Sequence, residues 1–178
     1  DWLATSLKSA GRPVPMSLKR ISGSRPTSVA GWAAVLGSGG SPEAGRRLFF
    51  HSAGPQCARC HMVNGRGRRV GTDLSLIARS RNRRGLLESI LLPSREVAPQ
   101  FTSWTLVTVD GRVLEGVIVY ENRDRLTIED SAGKQTNLAN TEVELRMPRR
   151  TSLMPEKLID RLAISELRDL LAFLETLK

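Results

Sequence analysis

Hydrophobic and polar positions along the chain change period, and the changes separate helical from strand-like parts. Over 165–177 leucines recur three and four residues apart, which predicts a helix that begins at Ser165 and buries one face. A second apolar stripe predicts a helix over 83–92, which Pro93 ends. Between these helices the pattern is different, so the chain does not consist of helices alone.

Residues 101–147 alternate between apolar and polar positions. Alternating runs flank Asp110-Gly111, the strongest short hairpin signal, and further strands are predicted near 125–129, 134–138 and 142–147. Five short strands predict a small antiparallel sheet or barrel. The expected fold class is therefore mainly α, with a small β insertion of about five strands over 101–147.

The first part of the chain has a different composition. Residues 1–40 are rich in Gly, Pro and Ser, which predicts a linker-like extension with one short helix around 28–36. Ser41-Pro42-Glu43 is a typical helix start, so the main domain is expected to span 41–178 and its first helix to reach about Phe50. The chain opens without an initiator Met or a signal peptide, which indicates a processed protein or a piece of a longer one.

Composition limits the class of protein. The 178 residues are 40% hydrophobic, an ordinary globular value, and no apolar run approaches the roughly 18 residues that spanning a bilayer requires, so no transmembrane segment is expected. Aromatic residues make up only 4% of the chain. A bulky cofactor could supply the core volume that large side chains leave unfilled.

The two cysteines fall in one motif, Cys57-Ala58-Arg59-Cys60-His61, which is the attachment signature of c-type haem. Two thiols can add across the two vinyl groups of a porphyrin, and two intervening residues let both sulfurs reach one edge of the ring. The next residue, His61, is then placed to coordinate iron as the proximal ligand. The motif predicts one covalent haem c.

Three other uses of the cysteines fit the sequence less well. A structural zinc site needs about four ligands, usually in two pairs, and only two Cys and two His exist in this chain. A thioredoxin-like dithiol would open a helix in a βαβ unit, and no parallel-strand pattern precedes Cys57. A disulfide between residues three apart would be strained.

The distal iron ligand has several candidates. Met62 adjoins His61 on the proximal side, and Met16 lies in the extension. Met147 is in phase with Val143 and Leu145 on a predicted strand, where a core-facing side chain is the simpler interpretation. Met154 lies in an irregular stretch before the last helix, where a thioether could lie against iron. His51 is a further candidate, although the simpler interpretation is an exposed residue at the end of the first helix. Met154 is the preferred ligand.

The order of motifs resembles a class I cytochrome c. Gly45 and Phe49 in the first helix, with Leu170 and Phe173 in the last, are similar to the residues at which the terminal helices of that family cross. The longer pattern resembles the C-terminal cytochrome c domain of planctomycete and verrucomicrobial multidomain haem-binding, dehydrogenase-like proteins. It comprises Gly45-Arg46-x-Leu48-Phe49, Gly71-x-Asp73-Leu74, Leu91-Leu92-Pro93-Ser94, the β insertion and Ser152-Leu153-Met154-Pro155-Glu156, and it covers 41–178.

The resemblance implies a helical cytochrome c fold around haem, with iron held by His61 and Met154. It implies single-electron transfer between redox partners, no enzymatic chemistry in this chain, a dehydrogenase-like parent or partner protein, and a periplasmic or otherwise extracytoplasmic location. The alternative is a haem enzyme or gas sensor with an open or weakly held distal position. One departure is Thr72, where family members commonly have Pro; the carbonyl there accepts a hydrogen bond from the proximal His.

Charge is unevenly distributed. Residues 59–84 hold eight Arg and one Asp, a net charge of +7, whereas 85–178 hold 12 basic and 15 acidic residues, a net charge of −3. This predicts either a solvated face or a docking surface for an acidic redox partner or an adjacent domain. Nucleic-acid binding is not expected, because the β segment contains more acidic than basic side chains. The β segment itself is expected to shield the haem or to dock a neighbouring domain.

Overall fold

The computed structural model describes residues 25–52 and 54–178, so the candidate Met16 lies outside the described residues. Within these ranges the chain forms four α-helices, a two-stranded hairpin and a five-stranded antiparallel sheet. The helices are α1 (Val29–Leu36), α2 (Pro42–Phe50), α3 (Arg83–Leu91) and α4 (Ile164–Leu174). The strands are β1 (Met62–Val63), β2 (Arg66–Gly67), β3 (Ser103–Thr108), β4 (Val113–Glu121), β5 (Arg125–Glu129), β6 (Gln135–Ala139) and β7 (Val143–Pro148).

Side-chain caps fix the starts of the first three helices. The hydroxyl of Ser28 accepts a hydrogen bond from the Gly31 amide, that of Ser41 accepts from Ala44, and the Asn82 amide oxygen accepts from Gly85. Each cap satisfies an amide that has no partner inside its helix. With these caps, α2 and α3 begin within one residue of the positions predicted from the sequence.

Helices α2 and α4 cross at the centre of the helical part. A Cβ atom at Gly45 would overlap the carbonyl oxygen of Asp169 and lie 2.8 Å from the Cβ of Phe173. Only glycine allows the two backbones to approach this closely. One turn further along, Phe49 packs edge-on against Phe173 with ring centroids 5.6 Å apart. The expected contact between these two helices is confirmed.

Helix α1 contributes to the same apolar core. Trp32 and Leu36 are buried in it together with side chains from α2, α3 and α4. The guanidinium of Arg168 donates to the carbonyl oxygen of Leu36, which holds the end of α1 against α4. Residues 29–36 therefore pack on the helical core, and the division at residue 40 stays a prediction.

The five-stranded sheet has the order β6-β5-β4-β3-β7 and a hydrophobic cluster of its own. Its inner face buries Leu106, Leu126, Ile128 and Leu138. The predicted turn between β3 and β4 is present: Gly111 has a φ of 82°, and its amide donates to Thr108.

The expectation that the fold is mainly α is wrong. Helix accounts for 32% of the structure and strand for 23%, with a five-stranded antiparallel sheet and only four α-helices in the described ranges. The sheet buries a hydrophobic cluster that is separate from the cluster of the helices. It is therefore a second structural layer and not a small insertion in a helical fold.

Two local predictions also differ from the structure. Ser165 is not the cap of the last helix, because α4 begins at Ile164 and the Glu166 carboxylate accepts the hydrogen bond of the Ala163 amide. The acidic start at Asp73 also predicts a short helix over 73–78, but the structure forms only a 3-10 turn over Ile77–Arg79. There the Asp73 carboxylate accepts from the amide and hydroxyl of Ser75, a local bond that competes with helix formation.

Candidate functional site

The cysteine motif folds into a single tight turn. Cys57–Arg59 form a 3-10 turn, and the amides of Cys60 and His61 both donate to the Cys57 carbonyl, at 3.1 and 2.9 Å. Both thiols are free and half-buried. The structure therefore brings three of the four predicted site residues, Cys57, Cys60 and His61, into one continuous segment, hereafter the attachment segment (57–61).

The imidazole of His61 is oriented by the main chain. Its Nδ1 atom lies 2.8 Å from the carbonyl oxygen of Thr72, and a carbonyl can only accept, so Nδ1 carries the proton. The lone pair is then on Nε2, the atom free to bind a metal. Burial lowers the pKa of His61, and the hydrogen bond to Thr72 partly opposes this shift. The neutral imidazole, which is the ligating form, is favoured.

The threonine at position 72 supplies the carbonyl that the resemblance assigns to a proline. Since the bond uses only the main chain, Thr72 orients His61 without any contribution from its own side chain.

Gly71 makes the close approach to His61 possible. A Cβ atom there would lie 2.7 Å from the Cε1 atom of the imidazole, and the Gly71 amide donates to the Cys60 carbonyl at 2.8 Å. A Cβ at Gly67, in strand β2, would overlap the carbonyl oxygen of His61. The strands β1 and β2 and the chain after them therefore pack tightly around His61.

The pKa values of the two thiols do not suit a redox dithiol. Burial raises the pKa of Cys57 to about 12 and also raises the pKa of Cys60. Thiol–disulfide enzymes depend on a lowered cysteine pKa. Within the described ranges, no group of three or more His, Cys, Asp or Glu side chains is placed to hold a metal ion by itself.

Met154 lies in the loop between β7 and α4 and is half-buried. Its amide donates to the Ser152 hydroxyl at 3.1 Å, and the Ser152 amide donates to the Ser94 hydroxyl, also at 3.1 Å. The loop is thus anchored to the segment that follows α3. Two of the motifs that carry the resemblance, one ending at Ser94 and one containing Met154, meet through this bond.

The other candidate ligands have different surroundings. Met147 is 44% exposed on strand β7, so the interpretation that it faces a core is wrong. In the register of the sheet it pairs with Thr105 on the outer face. Arg69 Nε donates a hydrogen bond to the Met62 sulfur at 3.5 Å. His51 is exposed at the end of α2.

The arginines near the motif are only partly available to a partner. Arg68, Arg81 and Arg83 form ion pairs with Glu129, Glu96 and Glu175. Arg66 lies over the ring of Phe50, 4.4 Å from its centroid. Part of the +7 charge of this segment is therefore compensated inside the molecule.

Sequence reasoning missed the buried carboxylate at this site. Glu129 is 2% exposed, and its charge acts on the Cys60 thiol, raising its pKa. Its partner Arg68 is distant in sequence, and a single charge on a predicted strand gives no sign of such a contact. The one available signal was the arginine-rich loop, which required acidic partners from elsewhere in the chain.

The donor set fits a covalent haem. Two protonated thiols lie in one turn, a neutral imidazole has its Nε2 lone pair free, and a thioether lies in an anchored loop. No α-helix in the described ranges is long and apolar enough to cross a membrane. Comparison with models of known protein families and with curated proteins found no match for this chain.

Proposed function

We propose that the chain is a monohaem c-type cytochrome domain that transfers single electrons between redox partners. The observation that carries the proposal is the orientation of His61 within the attachment segment, with Nδ1 bonded to the Thr72 carbonyl. A histidine fixed in this tautomer beside two free thiols has the arrangement that a proximal haem ligand requires.

Cys57 and Cys60 attach the porphyrin in this proposal. Each S–H would add across one vinyl group, with a carbon–sulfur bond formed and the hydrogen transferred to the neighbouring vinyl carbon. No atom is lost and no oxidant is consumed. Burial raises the pKa of both thiols in the folded chain, which favours their protonated form.

Met154 would hold the iron as the second protein ligand. The bound group supplies a reversible one-electron change at iron, and a thioether ligand favours the reduced state. The hydroxyls of Ser152 and Ser94 fix the loop that presents the sulfur, which limits rearrangement between the two oxidation states. Such a domain has no substrate chemistry of its own and serves a dehydrogenase-like parent or partner protein.

The partner and location follow from the same proposal. Arg66, which lies over the Phe50 ring, and Arg69, which contacts the Met62 sulfur, form no ion pair within 4 Å among the described residues. Both lie close to the attachment segment and suit docking of an acidic partner, although the charge of Arg69 also acts on Asp73. The location is periplasmic or otherwise extracytoplasmic, where covalent haem attachment takes place in bacteria.

The proposal is tested by producing the protein in a host that attaches c-type haem. The oxidised form should show the sulfur-to-iron charge-transfer band, and the reduced form should bind carbon monoxide slowly or not at all. Met154→Ala should remove the band and open the iron to carbon monoxide, whereas Met147→Ala should change neither. Rapid carbon monoxide binding by the unaltered protein would instead indicate a gas sensor or haem enzyme.

A further inference from the structure

We propose that the five-stranded sheet is a positioning module that links the attachment segment to the Met154 loop, with the Arg68–Glu129 ion pair as its decisive contact. The inference rests on the proposed function, because the quantity that the pair would control is the reduction potential of the bound haem.

The contact surface is one row of side chains across three strands. Ser103, Val117 and Glu129 are paired side by side on β3, β4 and β5. They are 3%, 4% and 2% exposed, although they belong to the outer face of the sheet. Further along the same face, Val113 and Leu145 are 62% and 47% exposed. One end of the outer face is therefore covered, and the other end is open.

At one end of the row, Ser103 is hydrogen-bonded to the start of the Met154 loop. The Ser103 hydroxyl donates to the Thr151 carbonyl at 2.5 Å, and the Arg149 amide donates to the Ser103 carbonyl at 2.8 Å. Thr151 is three residues before Met154. The first residue of β3 thus fixes the point at which the loop leaves the sheet.

At the other end of the row, Glu129 and the turn that follows it contact the chain around the attachment segment. Arg68 Nη2 lies 3.0 Å from Glu129 Oε1, and Arg68 Nη1 donates to the Gly133 carbonyl at 3.2 Å. Arg59, inside the attachment segment, donates to the carbonyl of Ala132. Two arginines that flank Cys60 and His61 therefore both end on the turn between β5 and β6.

The ion pair is the sensitive part of this contact. Glu129 Oε2 accepts a hydrogen bond from Gln135, whereas Oε1 has no hydrogen-bond partner among the described residues and is compensated there by the charge of Arg68. A buried carboxylate without a partner is strongly unfavourable. Both charges also act on the Cys60 thiol, the carboxylate raising its pKa and the guanidinium lowering it.

The two charges offset each other at the edge where the haem would be attached. Loss of the carboxylate leaves a positive charge there, which stabilises the added electron and moves the reduction potential in the positive direction. Loss of the guanidinium leaves a negative charge and has the opposite effect. A purely structural contact would not produce shifts of opposite sign.

The test is the reduction potential of the holoprotein. We expect Glu129→Gln to give a positive shift, Arg68→Gln a negative shift, and the double variant a potential between the two. The matched control is the ion pair between Arg146 and Glu121, which joins β7 and β4 of the same sheet. Arg146→Gln and Glu121→Gln should leave the potential unchanged.

Two further measurements keep the test decisive. Arg68→Lys retains the charge and should retain the potential even if stability falls. In hydrogen exchange, Glu129→Gln should increase the exchange of amides 57–68 more than Glu121→Gln does. Equal effects of both pairs, or shifts of the same sign for Glu129→Gln and Arg68→Gln, would overturn the inference. A wild-type protein without covalent haem would overturn the proposed function, while hydrogen exchange would still decide whether the sheet holds this segment.

Discussion

The Nδ1 atom of His61 lies 2.8 Å from the main-chain carbonyl oxygen of Thr72. This one bond decides the tautomer of the imidazole and leaves the lone pair on Nε2. It depends on the path of the chain through Gly71, which passes directly against the ring. The orientation of the proposed proximal ligand is therefore built into the backbone and not into a neighbouring side chain.

The first prediction concerns Gly71. Gly71→Ala would place a methyl group 2.7 Å from the His61 ring, so we expect a loss of about 2 kcal/mol of unfolding free energy and a disturbed haem spectrum. Gly85→Ala is the matched control, because the nearest atom to its Cβ is 3.5 Å away and alanine favours the helix. Denaturant unfolding checks both. Equal stability of the two variants would contradict the packing described for Gly71.

The second prediction concerns the crossing of α2 and α4. Gly45→Ala would drive a methyl group into the carbonyl of Asp169, and we expect a loss of about 3 kcal/mol, the upper end for overpacking. Ala44→Gly, at the adjacent position, should cost only about 1 kcal/mol through helix propensity. Chemical denaturation measures both. A Gly45→Ala protein as stable as Ala44→Gly would show that the helices do not cross at this point.

The third prediction is a pH dependence. Hydrogen bonds from the hydroxyl and amide of Ser75 lower the pKa of Asp73. A carboxyl whose folded pKa is below its unfolded value stabilises the fold above about pH 4, and this contribution is lost as the pH falls through the folded pKa. Ser75→Ala should raise the Asp73 pKa, as followed by NMR titration. The pKa of Asp110, lowered mainly by Thr108, should not change.

The fourth prediction concerns Arg25, whose guanidinium donates to the carbonyls of Ile159 and Leu162 at 2.8 and 2.9 Å. Because both carbonyls lie in the stretch that leads from Met154 to α4, Arg25→Gln should increase hydrogen exchange over 157–163. Arg168→Gln removes the bond to Leu36 instead and serves as the control. It should loosen α1 and leave 157–163 unchanged. Indistinguishable exchange in that stretch would exclude the proposed role of Arg25.

Local signals were enough to predict much of the fold. The start of α2 followed from Ser41 and Pro42, and the hairpin from Asp110-Gly111, because caps and turns are decided by a few adjacent residues. The cap of α4 was missed, since Glu166 reaches back to Ala163 and makes Ser165 unnecessary. The predicted fold class was wrong, because alternation predicts strands but not that their sheet encloses a core of its own.

One part of the candidate site could be predicted from the sequence and another part could not. Cys57, Cys60 and His61 were found from one contiguous motif, and the structure folds them into one turn. The buried position of Glu129 depends on how the sheet lies against the arginine-rich loop. That is a long-range contact, and neither hydrophobic period nor residue spacing contains it.

The central claim is that a haem is bound covalently through Cys57 and Cys60, and the mass of the denatured protein tests it most directly. After production in a host that attaches c-type haem, the predicted mass is that of the polypeptide plus one intact haem, since both additions proceed without loss of atoms. The colour should remain with the protein in acidified organic solvent. A mass equal to that of the polypeptide alone, with any haem released into the solvent, would contradict the account.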